Sequence, residues 1–257
     1  MDAVAEKKPI TFNRWLPYWA VFQADVRQTL RSWVYRFWVL LSVLATVGYL
    51  LFRFGIYHEV GIIQSASLHI SHLLRWIVLG SAAIICVLTA GSISSERGTM
   101  ADSVLSRGIS RYQYFMGKWH ARLVTVLGTF LALGMLTLIS ALFLLHEDLS
   151  WDGSLVALMT VAALLGAVIT CGVTVSAIAN STVLGIAVLW SVLCGGGFLL
   201  SFLPQRYPSP DRALQRLPFI LQGHYDFNSL AQFAGWSIVV SCVTALVGLA
   251  YFSRRDV

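Results

Sequence analysis

Apolar stretches of about 20 residues recur along this chain and limit its possible folds more than any other feature. The hydrocarbon core of a bilayer is about 30 Å thick, so one helical crossing needs roughly 20 apolar residues. The sequence is 57% hydrophobic and only 12% charged, which excludes a water-exposed globular domain. We therefore predict an all-α membrane protein with six transmembrane helices. Their predicted spans are residues 37–54, 73–93, 119–145, 155–179, 182–203 and 233–252.

The basic residues are distributed unevenly along the chain. Thirteen of the 18 Lys and Arg residues lie before the first crossing, around the connection between the second and third, or after the last. Basic residues are enriched on the cytoplasmic side of membrane proteins. Both termini are therefore predicted to be cytoplasmic, and the even number of crossings agrees with this orientation.

Residues 1–36 are predicted to form a cytoplasmic N-terminus with an amphipathic helix that lies in the membrane interface. The alternative is an ordinary cytoplasmic helix packed on a partner. Residues 37–257 then form the six-helix transmembrane domain. The apolar side of the amphipathic helix consists of Leu16, Trp19, Val26, Leu30 and Trp33, whereas Asp25, Gln28, Arg31 and Ser32 lie elsewhere.

The longest predicted cytoplasmic loop, residues 94–118, is the most informative segment about function. Thr99 with Asp102, and Ser110 with Gln113, match the capping box that begins a helix. We predict a short helix, a break at a glycine, and a second helix that continues into the third crossing. This segment, called the elbow below, is expected to be a rigid, charged projection into the cytoplasm.

The elbow resembles the E-x-G-T...L-S-x-P-[IV]-S-R...G-K signature of ABC-2-type permeases, the membrane subunits of ATP-binding-cassette (ABC) transporters. It departs from the signature at Gly108, where the family usually has proline. The six crossings, the amphipathic N-terminal helix and the ending at 252–256 extend the likeness over nearly the whole chain. The matching residues are Glu96, Gly98, Thr99, Leu105, Ser106, Ile109, Ser110, Arg111, Gly117 and Lys118.

The resemblance implies the permease subunit of an ATP-driven exporter in the bacterial cytoplasmic (inner) membrane. In that family the elbow is a coupling helix docked on a separate cytoplasmic ABC ATPase, and a second permease copy or a homologue completes a dimer. A solvated loop that merely carries basic residues is the alternative. The residues that the resemblance assigns to ATPase coupling are Glu96, Arg97, Gly98, Thr99, Asp102, Leu105, Arg107, Ser110 and Arg111.

The sequence lacks the phosphate-binding loop of an ATPase. Gly117 and Lys118 are followed by Trp119 instead of Ser or Thr, and Tyr112 stands where the first glycine of that loop would be. We therefore predict no enzymatic activity and no cofactor bound by this chain, with ATP and Mg²⁺ bound by the partner ATPase. Membrane lipid and an extracytoplasmic accessory protein are further candidate partners, and no nucleic-acid partner is predicted.

A second long connection, residues 204–231, lies on the predicted outer side. Pro204, Pro208 and Pro210 end the fifth crossing, and the apolar piece 214–221 is too short to span the membrane. A re-entrant or interfacial segment fits this pattern. In the family such a segment caps the outward end of the pathway, which would place the three prolines in an outer gate. The alternative is a segment that only covers helix ends.

Small residues recur every four positions along the fourth crossing, beginning at Ala162. Because such a stripe lets helices approach closely, we assign Gly166, Thr170 and Thr174 to helix packing. A role in lining a substrate pathway is the alternative. Three consecutive glycines, 195–197, interrupt the fifth crossing and could serve as a hinge or as a packing contact.

Other functions match the sequence less well. The predicted crossings have no central Asp, Glu, Lys or Arg, which ion-coupled carriers usually need. His69 and His72 are spaced to share a metal ion, and some permeases of this family serve copper-enzyme maturation. No thiolate or thioether cluster accompanies them, so no metal site is predicted. An ATP-independent membrane scaffold or assembly factor is a second hypothesis. The apolar walls favour a lipid-like or amphipathic substrate.

Overall fold

A computed structural model describes residues 15–60, 66–96, 109–145, 149–202 and 209–254 of the 257-residue chain. These residues form nine α-helices and one 3-10 turn, and they include no β-strand. The 3-10 turn, Ser94–Glu96, lies between α3 and α4. The helices are α1 (Leu16–Arg31), α2 (Trp33–Val60), α3 (Ala66–Ala90), α4 (Arg111–Leu145), α5 (Trp151–Ile178), α6 (Thr182–Ser201), α7 (Pro210–Gln215), α8 (Leu217–Leu221) and α9 (Phe227–Arg254).

Six of these helices, α2 to α6 and α9, are long and apolar enough to cross a membrane. The chain is therefore a multi-pass, all-α membrane protein, and the prediction is confirmed at that level. Five of the six helices begin before the predicted crossings, and α4 begins at Arg111 instead of at position 119, whereas α6 begins at the predicted residue and ends two residues earlier than predicted. The earlier starts arise because apolar composition marks only the part of a helix that lies in the hydrocarbon region.

Helices α3 and α5 form the centre of the bundle. The most apolar window of α5 is 61% buried inside the protein. The corresponding windows of α2 and α6 are each 11% buried. A helix that is apolar on every side is typical of a buried position, and Val161, Leu165 and Ile169 of α5 are at most 1% exposed. The side chains that α2 and α6 leave uncovered are mostly apolar, as expected of helices that face lipid.

Helix α1 lies against the first half of α4 at one end of the bundle. Val21, Asp25 and Thr29, spaced four residues apart, are buried in this contact. Gly117 allows the close approach, because an added Cβ would lie 2.9 Å from Val21 Cγ1. The apolar side of α1 faces outward, with Trp19 54% exposed. Thus α1 packs on the protein through a mixed face that includes two polar residues, Asp25 and Thr29, and its position in the membrane interface stays a prediction.

The two ends of the elbow and the last turn of α9 lie at the same end of the bundle as α1. Arg111 Nη1 donates a hydrogen bond to the Ser253 carbonyl oxygen at 3.2 Å. The Tyr114 ring stacks on the Phe252 ring, with centroids 6.0 Å apart. We call this the elbow end of the bundle and the opposite one the far end.

Two short helices, α7 and α8, pack against the bundle at the far end. Leu217, Ile220 and Leu221 of α8 are almost fully buried. The backbone N–H and the hydroxyl of Ser150 both donate to the Leu221 carbonyl oxygen, at 2.9 and 3.2 Å. Gly223 closes the following turn with a φ of 86°, which glycine adopts without strain. Helices of this length do not span a bilayer, and a re-entrant position stays a prediction.

Candidate functional site

Four charged side chains meet inside the protein at the elbow end. Asp25 comes from α1, Glu96 from the 3-10 turn, and Lys118 and Arg122 from α4. The side chains of Asp25 and Lys118 are 1% and 3% exposed, and those of Arg122 and Glu96 are 7% and 13% exposed. We call these four residues the ion network. Two acids face two bases, so their charges cancel when all four are ionised.

Lys118 lies at the centre of the ion network. Its Nζ is 2.5 Å from Glu96 Oε2 and 3.3 Å from Asp25 Oδ1, and it donates to the Ser92 carbonyl oxygen at 2.7 Å. The three donor hydrogens of the ammonium group thus have three oxygen acceptors. The Tyr114 hydroxyl donates to the same Glu96 oxygen at 2.8 Å. Lys118 therefore joins α4 to α1 and to the start of the elbow.

Arg122 extends the ion network by one helical turn of α4. Its Nε lies 3.1 Å from Asp25 Oδ2, and its Nη2 donates to Asp25 Oδ1 at 3.4 Å. Within the described ranges, Asp25 is the carboxylate that pairs with Arg122. Removing one member of a buried ion pair leaves an uncompensated charge, so the stability of this end depends on Asp25.

A second polar contact connects α1 to α4. The Tyr18 hydroxyl lies 3.1 Å from His120 Nδ1, within hydrogen-bonding distance. Burial raises the pKa of Tyr18, because the low-dielectric surroundings disfavour the phenolate. The Tyr18 hydroxyl therefore keeps its proton at neutral pH, and its contact with His120 holds α1 to α4 beside the ion network.

Ser176 of α5 fixes the first residues of the elbow. Its hydroxyl oxygen accepts hydrogen bonds from the backbone N–H groups of Ile93 and Ser94, at 2.9 and 3.0 Å. Ser94 adds a contact of its own hydroxyl with Thr182 Oγ1 at 3.2 Å. Buried backbone N–H groups need an acceptor, and here a side chain supplies it. The turn after α3 is therefore attached to α5 and to the start of α6.

Replacing Ser176 with alanine is expected to lower the free energy of unfolding by about 2 kcal/mol, because two buried N–H groups lose their acceptor. Ser237→Ala is the matched control, since the Ser237 hydroxyl donates to the Phe233 carbonyl oxygen of its own helix; its expected effect is within about 0.5 kcal/mol. Equilibrium unfolding in mixed detergent micelles measures both. Equal losses in the two variants would mean that Ser176 does not hold the elbow.

The other end of the elbow is fixed by a helix cap. Gln113 N donates to Ser110 Oγ, and Ser110 N donates to Gln113 Oε1, both at 3.2 Å. This confirms the predicted capping box at the second elbow helix. Helix α4 then runs from Arg111 to Leu145 as one helix, which confirms that the elbow continues directly into the third crossing.

Most of the predicted coupling residues lie outside the described residues. Of those that are described, Ser110 caps α4, Arg111 contacts the end of α9, and Glu96 binds Lys118 and Tyr114 inside the protein. Glu96 therefore has partners within this chain, and its role in contacting an ATPase stays a prediction. The coupling residues outside the described ranges are Arg97, Gly98, Thr99, Asp102, Leu105 and Arg107, as is the break at Gly108.

Sequence patterns did not single out the ion network as a site. One signal was present, because Tyr114, Lys118 and Arg122 are spaced four residues apart and share a helix face. Asp25 lies on the polar side of an amphipathic helix, for which water is the expected surroundings. Asp25 pairs with residues 93 and 97 positions away, and no local pattern specifies that pairing.

A groove of about 710 Å³ opens between α4, α5 and α9. Three residues of the small-residue stripe, Ala162, Gly166 and Thr170, line it, and Trp119 Nε1 donates to Thr170 Oγ1 at 3.0 Å. Thr174 lies beyond the groove, where its hydroxyl donates to the Thr244 carbonyl oxygen of α9 at 3.0 Å. The stripe thus forms a concave surface at one end and a contact between helices at the other.

The remaining predicted positions lie apart from the ion network. Helix α6 continues through glycines 195–197, which have open space beside them. Pro210 is the first residue of α7 and follows the capping residue Ser209, whereas Pro204 and Pro208 fall outside the described residues. In the ranges that the structure describes, no three His, Cys, Asp or Glu side chains are arranged to hold a metal ion.

The ion network and Ser176 fix one end of the elbow, and the Ser110 cap fixes the other. A displacement of the elbow would therefore pass directly to α1, α3 and α4. No family model matches this sequence, and no curated protein matches it either. The arrangement at the elbow end is thus the main structural guide to function.

Proposed function

We propose that this chain is the membrane-spanning permease subunit of an ATP-driven ABC transporter, an exporter of a lipid-like or amphipathic substrate in the bacterial cytoplasmic membrane. A separate cytoplasmic ATPase supplies the energy, and a second permease copy or a homologue completes a dimeric pathway. The termini and the elbow face the cytoplasm. The observation that carries the proposal is an ABC-2-like elbow whose two ends are anchored in the bundle.

The ion network supports a mechanical role for the elbow. Glu96 at the start of the elbow binds Lys118 of α4, and Lys118 also binds Asp25 of α1. Oppositely charged groups in a low-dielectric interior resist separation, so a push on the elbow moves α1 and α4 together. Rigid-body motion of the ATPase then tilts these helices and switches the pathway between inward and outward access. Net export requires that substrate affinity differ between the two states.

Exposed aromatic side chains support the proposed position in the membrane. Trp15 and Trp19 are more than half exposed near the elbow end, and Trp151 and Phe227 are more than half exposed near the far end. Aromatic residues are enriched at both interfaces of a bilayer. This distribution supports a position of α1 in the cytoplasmic interface and of α7 and α8 in the outer interface, where we propose that the connection 204–231 acts as the gate.

Arg107→Glu, in the middle of the elbow, is expected to weaken copurification with the ABC ATPase encoded beside this chain by at least about tenfold, because reversing a charge in a docked surface adds repulsion. Stimulation of ATP hydrolysis by the permease is expected to fall in parallel. The measurements are the amount of ATPase retained on the tagged permease and the rate of phosphate release in proteoliposomes.

Arg27→Glu is the matched control, because Arg27 is exposed on α1 at the same end of the bundle but outside the elbow. It should leave both readouts close to wild type. Full copurification and unchanged ATP hydrolysis in the Arg107→Glu protein would refute coupling through the elbow. Equal losses in both variants would indicate a general charge effect and would also count against the proposal.

A further inference from the structure

Helices α4 and α9 touch at the elbow end and enclose a groove beyond it. The Phe115 and Phe252 ring centroids are 6.4 Å apart, and a Cβ added to Gly248 would lie 3.1 Å from Phe115 Cζ. Toward the far end the two helices separate. Helix α5 then forms the floor of the groove of about 710 Å³.

The groove is apolar and has the length of a lipid chain. Small residues such as Ala162 and Gly166 form its floor, and Leu123 and Leu127, four residues apart, form one wall. Along α5 it extends over residues 155–170, or about 22 Å at 1.5 Å per residue. One leaflet of the hydrocarbon core is about 15 Å thick. The groove can therefore hold the full acyl chain of a lipid in one leaflet.

The opening of the groove faces the surroundings of the bundle between α4 and α9. All three walls belong to helices that are apolar and long enough to cross the membrane. Bilayer lipid is therefore the material that faces the opening.

A second cavity, of about 310 Å³, continues the groove at the far end. Leu230 lines both cavities, and Arg216 and His224 line the second. Asp226 is also on its wall, where its carboxylate accepts a hydrogen bond from Ser229 Oγ at 2.6 Å within the first turn of α9. The exposed guanidinium of Arg216 has the planar donor arrangement that binds phosphate. A cationic group, which interacts with the Asp226 carboxylate on the same wall, thus lies where a lipid headgroup would be.

We propose that the groove and the second cavity together form one phospholipid-binding site, with an acyl chain between α4, α5 and α9 and the phosphate at Arg216. The site is separate from the elbow, and its occupancy does not require ATPase coupling. A bound chain fills the space between α4 and α9 beyond the contacts that these helices make at the elbow end, such as that of Phe115 with Phe252.

Native mass spectrometry of the full chain tests the acyl-chain part of the site. The protein is delipidated in detergent and titrated with phosphatidylglycerol, and one tightly held lipid per chain is expected. Ala234→Phe fills the groove and is expected to lower lipid affinity at least about tenfold, because the chain loses buried apolar contact. Ala250→Phe lies on the same helix at an exposed position outside the groove and should leave affinity unchanged.

A second pair of variants tests the headgroup part. Arg216→Gln is expected to weaken phosphatidylglycerol binding about tenfold, because a charge-assisted hydrogen bond to phosphate is lost. Binding of diacylglycerol with the same chains should not change. Arg254→Gln, which removes an exposed charge at the elbow end, is the control.

Equal lipid affinity in the wild-type and Ala234→Phe proteins would overturn the proposal. Binding of inorganic phosphate alone, with the same dependence on Arg216, would also overturn it. A change of oligomeric mass in Ala234→Phe without loss of lipid would assign the groove to a second copy of this chain and reject the lipid site. Should Ala234→Phe fail to fold, Ser241→Phe fills the elbow-side part of the groove and provides the same readout.

Discussion

Replacing Asp25 with asparagine is expected to lower the free energy of unfolding by about 3 to 5 kcal/mol. Lys118 Nζ and Arg122 Nε lie 3.3 and 3.1 Å from the two oxygens of this carboxylate. The amide preserves its shape but leaves two buried cations facing one acid, Glu96. We expect α1 to detach from α4. Equilibrium unfolding in mixed detergent micelles measures the loss, and protease sensitivity of α1 reports the detachment.

Two further variants separate charge from packing at this site. Gln28→Ala changes an exposed polar residue of the same helix and should alter stability by no more than about 0.5 kcal/mol. Adding Arg122→Met to Asp25→Asn restores equal numbers of buried acids and bases, and should recover at least about 2 kcal/mol. A double variant no more stable than Asp25→Asn alone would show that unpaired charge is not the cause of the loss.

The second large effect is expected at the far end, where Gly153→Ala should cost about 3 kcal/mol or more. A Cβ at this position would overlap the Ile220 carbonyl oxygen and would lie 2.9 Å from Gly223 N. Both are backbone atoms of α8 and the turn after it, so they cannot move aside as the tip of a side chain can. The clash would separate α8 from α5 and break the hydrogen bonds between Ser150 and Leu221.

Gly128→Ala provides the matched control for this substitution. Gly128 lies in α4, and an added Cβ there meets no atom within 4 Å. Alanine is a better helix former than glycine, so stability should stay constant or rise by up to about 1 kcal/mol. Thermal unfolding in detergent compares the two variants. Similar midpoints for Gly153→Ala and Gly128→Ala would mean that α8 is not closely docked on α5.

The substitutions at Asp25 and Gly153 disrupt opposite ends of the bundle by different physical causes. At the elbow end, three separate helical elements meet through charge, and the loss follows from an uncompensated cation. At the far end, the contact depends on the absence of a side chain, and the loss follows from steric overlap. Combined, the two changes should be additive, since they share no partners.

The parts of the fold that could be predicted are those encoded over short distances in the chain. Each crossing was recognisable from its own apolar residues. The cap at Ser110 was recognisable because Gln113 lies three positions later, where a capping box requires it. The first residue of α4 followed from that cap, although the apolar pattern alone placed the crossing later.

The parts that could not be predicted depend on which helices are neighbours. The pattern of α1 distinguished an apolar side from a polar side. It did not show that Asp25, on the polar side, would pack against α4. The stripe on α5 indicated close packing, yet Gly166 borders an open groove while Thr174 contacts α9. Small residues permit both outcomes, and the neighbouring helices decide between them.

By itself, the sequence determined that this chain has six apolar helices able to cross a bilayer, because transfer into lipid depends on the summed composition of about 20 consecutive residues. Only the tertiary structure decided that Asp25, Glu96, Lys118 and Arg122 form one buried network at the base of the elbow. Pairing of buried charges depends on distances of a few ångströms between separate helices, and those distances exist only after the helices have packed.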